Sequence, residues 1–516
     1  MRLPLNFFTA WGLAALSVTV LSEPVPVPHY FHRDGLTRRD LSVSQVSREL
    51  GALVSNTTSI FGPSDPRWEN ATERYTTFAP PTIELVVQPG LESDIPIIIK
   101  YCNRNSIEFM AVNRGHSLTI TTGRFKGIEI DMASLRNYTI EPDFQSAWFQ
   151  GGSYGGSVIS SLWEQGYVAT TGSCTCVGLL GPGLGGGHGR FEGQYGLVSD
   201  NLVNLNVVLA DGSAIRVNAT SYSDLWWALQ GAGHNFGLVT SFQMKIHPRK
   251  VDTWHYHNYV WAGEKLETVF EQLNLFHTSA NGTTPVLMAV NFGAFGIESN
   301  YSTTEAVLSW SFVYAGPAAE AEALLAPFNA IGALSEATGD VPYPDIADIQ
   351  GTGLDSAACV PGYKWALRTA GSVDYNLTSE RQIYTLFNQK VAQYPDLAAG
   401  ARVTHEGYSN AAMKRVEAAS TAVPYRAENH LLYIAIDIPD DGSNLTAAAM
   451  AWADETRALW NQGQPGRQPS TYVNYAFGDE PVASMYGYEP WRLARLRALK
   501  QKYDPENRFR FYNPVI

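Results

Sequence analysis

Two segments of the chain combine residue types that can approach a cofactor closely and react with it. The first, VNRGHS at 112–117, follows an apolar run, and Gly115 permits a tight turn that presents backbone N–H groups and the His116 ring. The second, 172–201, is dense in glycine beside apolar residues. Such a backbone lies against something flat or charged, such as a pyrophosphate. Taken alone, a histidine in a turn is more often a surface or packing residue.

The glycine-rich segment also contains a false lead. Gly181, Gly183 and Gly186 satisfy the dinucleotide pattern G-x-G-x-x-G, but Pro182 lies inside it and no clear βαβ unit opens there. We therefore reject a Rossmann site. A third glycine-bearing segment, DLWWALQGAGHNFGLVTSFQMKI at 224–246, predicts a helix, a turn and a strand whose backbone can also meet a ligand.

The elements that must position these segments alternate along the first half. IELVV at 83–87 predicts a buried strand, DIPIIIKYCN at 94–103 a helix, FMAV at 109–112 a strand, and NLNVVLADGS a hairpin with an Asp-Gly turn. This pattern predicts an α+β nucleotide-binding domain at 44–249.

The second half has a different character. Residues 250–470 alternate strand-like segments with Ala-rich amphipathic helices, which favours an antiparallel sheet covered by helices as a substrate domain. The C-terminal segment, 471–516, predicts a Tyr-rich strand and then a basic helix that stops at Asp504-Pro505.

In this order and spacing, the segments resemble the berberine bridge enzyme-like branch of the vanillyl-alcohol oxidase superfamily. The matching features are RGHS after a strand, C-x-x-V-G-x-x-G-x-x-L-G-G-G-x-G at 174–189, Y-G-L-x-x-D-N at 195–201, DLWWALQGAGHNFGLVT, and the closing Y-V-N-Y and K-x-K-Y-D-P-E-N-x-F. The resemblance is dense over 44–249 and 472–514 and weaker between them. It implies a two-domain α+β FAD-binding fold of the vanillyl-alcohol oxidase type, in which the last segment returns to the FAD domain.

The resemblance further implies an FAD that is bound covalently at two points. His116 matches the histidine that links the flavin 8α-methyl group, and Cys174 matches the cysteine that links C6. Arg114 stands where many relatives have another glycine, so the turn differs locally, yet no linking atom is lost. The further cofactor-binding residues that the resemblance implies are Gly115, Ser117, Val177, Gly178, Gly181, Gly185, Gly186, Gly187, Gly237, Val239 and Asn474.

By the same resemblance, Tyr475 lies over the reactive face of the flavin and is the predicted general base. A phenol with a pKa near ~10 is a poor base, so it works only where neighbouring cations or hydrogen-bond donors favour the phenolate. The alternative is a tyrosine that packs in a strand. His188 occupies a place where relatives often carry Tyr or Phe, and it either assists proton transfer or only shapes the pocket.

The N-terminus predicts entry to the secretory pathway. Arg2 precedes an apolar run, so 1–22 is predicted to be a cleaved signal peptide, with an uncleaved membrane anchor as the alternative. The Pro-rich and then charged segment 23–43 is a linker or pro-segment, or else an ordered arm against the body. Sequons predict N-glycans on the surface at Asn56, Asn70, Asn137, Asn218, Asn281, Asn300, Asn376 and Asn444.

Charge and cysteine content narrow the class further. The formal net charge of −13 argues against nucleic-acid and anionic-membrane partners. The four cysteines are too few to hold a secreted chain of 516 residues together. If Cys174 links a flavin, an odd number remains and at least one thiol is free or pairs outside the chain; Cys176 is predicted to be a packed thiol, while Cys102 and Cys359 stay unassigned.

The resemblance therefore implies an FAD-linked oxidase that takes hydride from a small organic substrate and passes electrons to O2, giving H2O2. Oxidation or oxidative cyclisation of a secondary metabolite is favoured, because the aromatic-rich chain suits an apolar, planar molecule. A carbohydrate oxidase is the enzymatic alternative, since aromatic residues also stack on sugars. A dehydrogenase with another electron acceptor, or a flavin-holding protein with little catalysis, is the alternative of another class. No metal site is predicted.

Overall fold

The computed structural model describes residues 41–279, 282–440 and 444–516. The predicted signal peptide, most of the 23–43 segment and the sequon at Asn281 lie outside these residues. Within the described ranges, no helix is long and apolar enough to cross a membrane.

The helices are numbered along the chain. They are α1 Val43–Glu49, α2 Trp68–Thr72, α3 Asp94–Arg104, α4 Gly155–Glu164, α5 Leu180–Leu184, α6 Glu192–Tyr195, α7 Ser223–Leu229, α8 Leu266–Ser279, α9 Ala318–Asn329, α10 Ile346–Ile349, α11 Leu377–Gln393, α12 Pro395–Ala398, α13 Thr446–Gln462, α14 Val482–Tyr486 and α15 Pro490–Tyr503.

A small four-stranded sheet carries the first of the glycine turns. Its strands are β1 Ser59–Phe61, β2 Thr82–Gln88, β3 Phe109–Val112 and β4 Lys126–Asp131, in the order β1-β2-β4-β3. β2 and β3 both run parallel to β4, which requires a crossover, and α3 supplies it. The apolar residues of α3 at helical spacing are buried in this core, as the sequence predicted.

A five-stranded antiparallel sheet lies next along the chain. Its strands are β5 Tyr138–Ile140, β6 Ser146–Gln150, β8 Leu202–Val208, β9 Ala214–Val217 and β10 Leu238–Lys245, in the order β5-β6-β10-β8-β9. The short strands β7 Tyr167–Val168 and β11 His247–Pro248 pair with each other beside it. β8 and β9 form the hairpin that the sequence predicted.

The second half of the chain builds a seven-stranded antiparallel sheet. Its strands are β12 Trp254–Trp261, β13 Met288–Glu298, β14 Ser302–Tyr314, β15 Ser335–Val341, β16 Trp365–Ser372, β17 Ala401–Tyr408 and β18 His430–Asp437, in the order β15-β12-β14-β13-β17-β18-β16. Apolar residues of α8, α9, α11 and α13 pack on one face and form the largest core with the strands. The predicted helix-covered antiparallel sheet is confirmed.

The C-terminal segment differs from the sequence prediction in one element. Val473–Tyr475 is a short 3₁₀ turn rather than part of a Tyr-rich strand. Its backbone closes on itself, with Tyr475 N–H bonded to the carbonyl oxygen of Tyr472, while the side chains of Asn474 and Tyr475 contact distant segments. α15 is the predicted basic helix, and its apolar residues enter the same core as β8 and β10.

Candidate active site

The His116 turn follows β3. Gly115 has φ +62°, a left-handed conformation that glycine adopts without the strain a side chain would bring, as the sequence predicted. The His116 ring stacks on Tyr75 with centroids 3.8 Å apart, and its Nε2 lies 3.3 Å from the carbonyl oxygen of Ala358. Burial lowers the pKa of His116 to about 4, so the imidazole is neutral at physiological pH.

The second predicted linking residue, Cys174, has a half-buried free thiol. Burial, reinforced by the Glu406 carboxylate, raises the pKa of this thiol to about 12. The prediction that Cys176 is a packed thiol is wrong, because Cys176 forms a disulfide with Cys359, 183 residues away. Cys102 is a buried free thiol in the small-sheet core.

Two contacts bring the His116 and Cys174 segments together. Arg114 Nε donates a hydrogen bond of 3.1 Å to the carbonyl oxygen of Cys176, so its side chain joins the His116 turn to the Cys174 loop. Tyr75 stacks on His116. Burial raises the pKa of Tyr75, and the nearby Cys174 raises it further, so Tyr75 lies close to both segments.

The surroundings fit an FAD. The Oγ atoms of Ser117 and Ser153 and Oδ1 of Asn113 are buried without a hydrogen-bond partner among the described residues. A Cβ added at Gly172 or Gly181 would meet nothing within 4 Å. Unpartnered hydroxyl donors and open glycine backbone are both features that a pyrophosphate can use, since it brings several acceptor oxygens.

The triple glycine at 185–187 packs against the C-terminal segment. Gly186 and Gly187 have φ of +113° and +86°, and a Cβ at Gly185 would lie 2.4 Å from Oδ1 of Asn474. Asn474 Nδ2 donates to the carbonyl oxygen of Pro182 at 2.9 Å. The structure thus places two predicted cofactor residues, Gly185 and Asn474, in direct contact.

Four other predicted cofactor residues have close neighbours within the protein. The carbonyl oxygen of Val177 accepts a hydrogen bond from Gly155 at the start of α4. Gly178 lies against Asn113, and Gly237 lies against Val207 of β8. The side chain of Val239 is buried in the core of the five-stranded sheet. These contacts describe how the four residues pack within the protein. Their backbone contacts with FAD stay predictions.

Tyr475 meets a carboxylate that the sequence reasoning missed. Its hydroxyl donates to Glu406, with both carboxylate oxygens at 3.1 Å. Glu406 lies on β17, is buried, and faces Tyr475, Tyr408 and His188. Burial raises the pKa of Glu406 to about 7, which makes it a proton acceptor near physiological pH.

The condition for Tyr475 to act as a base by itself is not met by its protein neighbours. Burial, followed by Glu406 and by the phenols of Tyr408, Tyr433 and Tyr472, raises the pKa of Tyr475 well above 10. These neighbours favour the neutral phenol, not the phenolate. Tyr475 is therefore a neutral hydroxyl in this site that donates its proton to Glu406.

His188 lines the same site. Its Nδ1 lies 2.8 Å from Oε2 of Glu192, and its ring stands against Tyr408 and Tyr472, with centroids 6.2 and 4.8 Å away. Burial by itself lowers the pKa of His188, but Glu192, and then Glu406, outweigh it, so the pKa is raised. These carboxylates thus favour the protonated form of His188 beside the Tyr475–Glu406 pair.

Comparisons with known proteins agree with these features. Residues 83–218 match the family model described as FAD binding domain, and 471–516 match the model described as Berberine and berberine like. The FAD-linked oxidoreductase iacH of Pestalotiopsis fici is 54% identical over 509 residues, and the FAD-linked oxidoreductase OXR2 of Pyricularia oryzae is 52% identical over 510. Each alignment covers 98% of both chains. The chain is a berberine bridge enzyme-like FAD-linked oxidoreductase.

The fold of this oxidoreductase agrees with that assignment. A glucooligosaccharide oxidase from Acremonium strictum superposes with a TM-score of 0.76 at 19% identity, over 91% of this chain and 98% of that one. The predicted two-domain α+β fold is thereby confirmed.

A cavity with about 580 Å³ of empty space, open solvent included, is lined by Tyr408, Tyr472 and His188, which are neighbours of the Tyr475–Glu406 pair of the oxidoreductase. The polar lining residues include His188, Glu192 and Tyr472. The apolar lining residues are Met413, Val423, Leu431, Val473 and Met485.

The sequence carries a weak signal for Glu406. It lies in ARVTHEGY, a β run whose apolar positions are interrupted by an imidazole and a carboxylate side by side. A buried strand rarely carries a carboxylate without a use, so this interruption was the available signal. The pairing with Tyr475, 69 residues further on, was not readable from it.

One group outside the active site has ligand types that metals use. His255 and His257 of β12 and Glu322 of α9 place their donor atoms within 4.8 Å of one another. Three of the four ring nitrogens lie 2.8–2.9 Å from a carboxylate oxygen and the fourth, Nε2 of His257, lies 3.4 Å from Glu336. Hydrogen bonds to the carboxylates of Glu322 and Asp340 account for three of these nitrogens.

Proposed function

We propose that this oxidoreductase is an oxidase that converts a small organic alcohol to a carbonyl compound, using FAD linked to His116 and Cys174 and O2 as electron acceptor. The observation that carries the proposal is the Tyr475–Glu406 pair, which is buried near the Cys174 thiol and next to Tyr408, Tyr472 and His188, three residues that line the cavity. FAD bound there would accept the hydride that leaves the substrate carbon and deliver two electrons to O2, so that alcohol and O2 become carbonyl compound and H2O2.

The surroundings of His116 support a link through one nitrogen. Because the Ala358 carbonyl oxygen can only accept, it favours a proton on Nε2 of the neutral ring, which leaves the lone pair on Nδ1. The glucooligosaccharide oxidase of the superposition carries a 6-S-cysteinyl, 8α-N1-histidyl FAD. The same two links are proposed for His116 and Cys174.

The pair of Tyr475 and Glu406 supplies the proton acceptor. As hydride leaves the carbon, the substrate hydroxyl gives its proton to Tyr475, and Tyr475 passes its own proton to Glu406. Glu406 accepts it because its pKa of about 7 leaves a large fraction ionised at neutral pH. Glu192 raises the pKa of His188 and so favours its protonated form, which would stabilise the developing negative charge on oxygen.

The cavity supports a compact, partly apolar substrate. Its apolar lining residues suit a hydrocarbon or aromatic body, and its polar lining residues suit one or two oxygen functions. A secondary metabolite bearing an alcohol has this character, and oxidative cyclisation follows where the new carbonyl meets an internal nucleophile. A carbohydrate substrate is the competing outcome of the test below.

The test has two stages. The parent protein, His116→Ala, Cys174→Ala and the double variant are precipitated in acid and the flavin that stays with the polypeptide is measured. We expect retention in the parent and in each single variant and release from the double variant. The parent is then tested for H2O2 formation with aryl and alkyl alcohols and with mono- and oligosaccharides. Activity on sugars alone, or reduced flavin that air does not reoxidise, would refute the proposal.

We also infer that the protein is secreted and N-glycosylated. Six of the described sequon asparagines are exposed, while Asn218 is half-buried and its side chain bonds Asn204 and Thr220. The Cys176–Cys359 disulfide is typical of an oxidising compartment. Recovery from culture medium, with a mass decrease after enzymatic deglycosylation, is expected; recovery of unglycosylated protein from the cytosol would contradict it.

A further inference from the structure

Residues 350–363, which we call the strap, leave the seven-stranded sheet side of the molecule and cross over the two flavin-linking segments. The strap connects α10 to β16. At its beginning, the carbonyl oxygen of Thr352 accepts a 3.0 Å hydrogen bond from the backbone N–H of Thr175, next to Cys174. At its end, the Tyr363 carbonyl oxygen accepts from Thr77, two residues after Tyr75.

A single covalent bond ties the strap to both linking segments. Cys176, two residues after Cys174, is bonded to Cys359 of the strap. Ala358, the residue before Cys359, holds its carbonyl oxygen 3.3 Å from Nε2 of His116. The disulfide is therefore two residues along the chain from Cys174, and one residue from the Ala358 carbonyl that orients His116.

Hydrogen bonds reinforce the Cys174 side of this arrangement. Oγ1 of Thr352 donates to the carbonyl oxygen of Ser173 at 3.1 Å. Arg190 joins the same atoms, since it donates to Ser173, to Thr352 and to Gln350 at the start of the strap. These bonds do not reach His116, which contacts the strap at Ala358.

The strap has little apolar packing of its own. Of its residues, Gly353 alone is buried, while Leu354 and Val360 are about half exposed, at 50% and 44%. A segment that buries so few side chains opens readily unless something else holds it. The disulfide is the strongest bond available for that purpose, because it joins segments 183 residues apart.

We propose that the Cys176–Cys359 disulfide positions both flavin-linking residues, so that covalent attachment of FAD depends on it. It holds the Cys174 loop directly and the His116 ring through Ala358. This inference rests on the proposed covalent attachment at His116 and Cys174. The disulfide is a positioning element and takes no part in the oxidation of substrate.

The test compares Cys176→Ser/Cys359→Ser with the parent and with Cys102→Ala, which changes the buried thiol outside the site. Each protein is produced in the presence of FAD, and mass spectrometry of the His116 and Cys174 peptides gives the fraction of each that carries flavin. For the double serine variant, we expect at least a tenfold fall in doubly linked protein, with FAD still bound but released by acid. For Cys102→Ala, both fractions should equal those of the parent.

A second variant separates the two arms of the arrangement, which are the contact of the strap with the Cys174 loop and its contact with His116. Thr352→Val removes the hydroxyl that bonds Ser173 and leaves the disulfide and Ala358 in place. We expect fewer Cys174 links and unchanged His116 links, a pattern that general loss of stability would not produce. Equal loss of both links in this variant would contradict the separation of the two arms.

The outcomes distinguish the inference from the function on which it rests. A parent without covalent flavin would overturn both. A linked parent with an equally linked double serine variant would overturn the inference alone. If that variant binds no FAD and melts well below the parent, the disulfide has a merely structural role and the inference is again overturned.

Discussion

Two adjacent residues of β17, His405 and Glu406, lie on opposite faces of the seven-stranded sheet and have opposite surroundings. His405 points into the large core and its Nε2 lies 3.0 Å from Glu380, in a pair that is completely enclosed. Glu406 points to the cavity side and is met by the neutral hydroxyl of Tyr475. The side chains of a strand alternate between its faces, so one residue step separates a structural pair from a reactive one.

The difference shows what makes a buried carboxylate reactive. Glu380 has an ionisable partner in direct contact, whereas the hydrogen-bond donor in direct contact with Glu406 is a phenol and the nearby cations act on it only through space. Burial therefore dominates for Glu406 and raises its pKa to about 7. Substitutions on the two faces should therefore affect different properties, the rate of catalysis on the Glu406 face and the stability of the fold on the His405 face.

Glu406→Gln should have the largest effect. Loss of the proton acceptor is expected to lower kcat by about 10³-fold, since general base catalysis contributes roughly 10²–10⁴. Covalent flavin content and KM should change little. Stopped-flow measurement of anaerobic flavin reduction, with the best alcohol from the substrate panel, checks this. Turnover within a few fold of the parent would show that Glu406 is not the acceptor.

Glu380→Gln is the matched change on the other face. Loss of the carboxylate from this fully buried hydrogen-bonded pair is expected to cost about 2 kcal/mol of the free energy of unfolding, which corresponds to roughly 30-fold in the folding equilibrium. The rate of flavin reduction per folded molecule should be that of the parent. Urea unfolding and the same stopped-flow assay measure the two quantities. A catalytic defect as large as that of Glu406→Gln would erase the distinction between the faces.

Tyr475→Phe should have an intermediate effect on rate. The variant removes the relay hydroxyl but keeps Glu406, which can still take the proton through one water, so we expect roughly a tenfold fall in kcat. Tyr433→Phe, which changes a neighbouring phenol without a bond to Glu406, is the control. If Tyr475→Phe were as slow as Glu406→Gln, the tyrosine itself would be the base, as the sequence suggested.

The pH dependence tests the same acceptor. Glu406 works when ionised, and its pKa is about 7, so kcat/KM should fall about tenfold for each pH unit below 7. In Glu406→Gln this acid limb should disappear while the flavin spectrum stays constant. A parent profile that is flat between pH 5 and 7 would contradict a raised pKa at Glu406.

The smallest expected effect is on stability. The folded protein holds a proton on Glu406 up to about pH 7, whereas an unfolded chain releases it near the ordinary value of 4.5. The folded state thus binds more protons in this window, and its stability falls as pH rises from 4.5 to 7. Glu406→Gln removes that loss, so its Tm should exceed that of the parent at pH 8 by roughly 2–4 °C and match it at pH 4. A lower Tm of the variant at pH 8 would contradict this sign.

Local patterns predicted much of the fold. The crossover helix α3 follows from apolar residues at helical spacing, and the β8–β9 hairpin follows from an Asp-Gly turn between strand-like runs. The segment at Tyr472 was misassigned because aromatic residues favour strands, whereas contacts of Asn474 and Tyr475 with distant segments select a turn. Such contacts have no local signal.

The candidate site divides in the same way. His116 and Cys174 were identified through motifs, because a glycine turn and a cysteine beside a glycine-rich run are contiguous in sequence. The Cys176–Cys359 pairing was missed, because residues 183 positions apart give no local indication that they meet.

The sequence by itself determined the family, the cofactor class and the residues that motifs carry, since each of these depends on neighbours within a few positions. The tertiary structure alone decided which groups share a proton and which segments are joined. Glu406 meets Tyr475 because β17 and the C-terminal turn converge, and Cys359 meets Cys176 because the strap crosses between the two halves. The physical reason is that pKa values and bonds of this kind depend on distances through space, which are set only when the sheets and the C-terminal segment pack together.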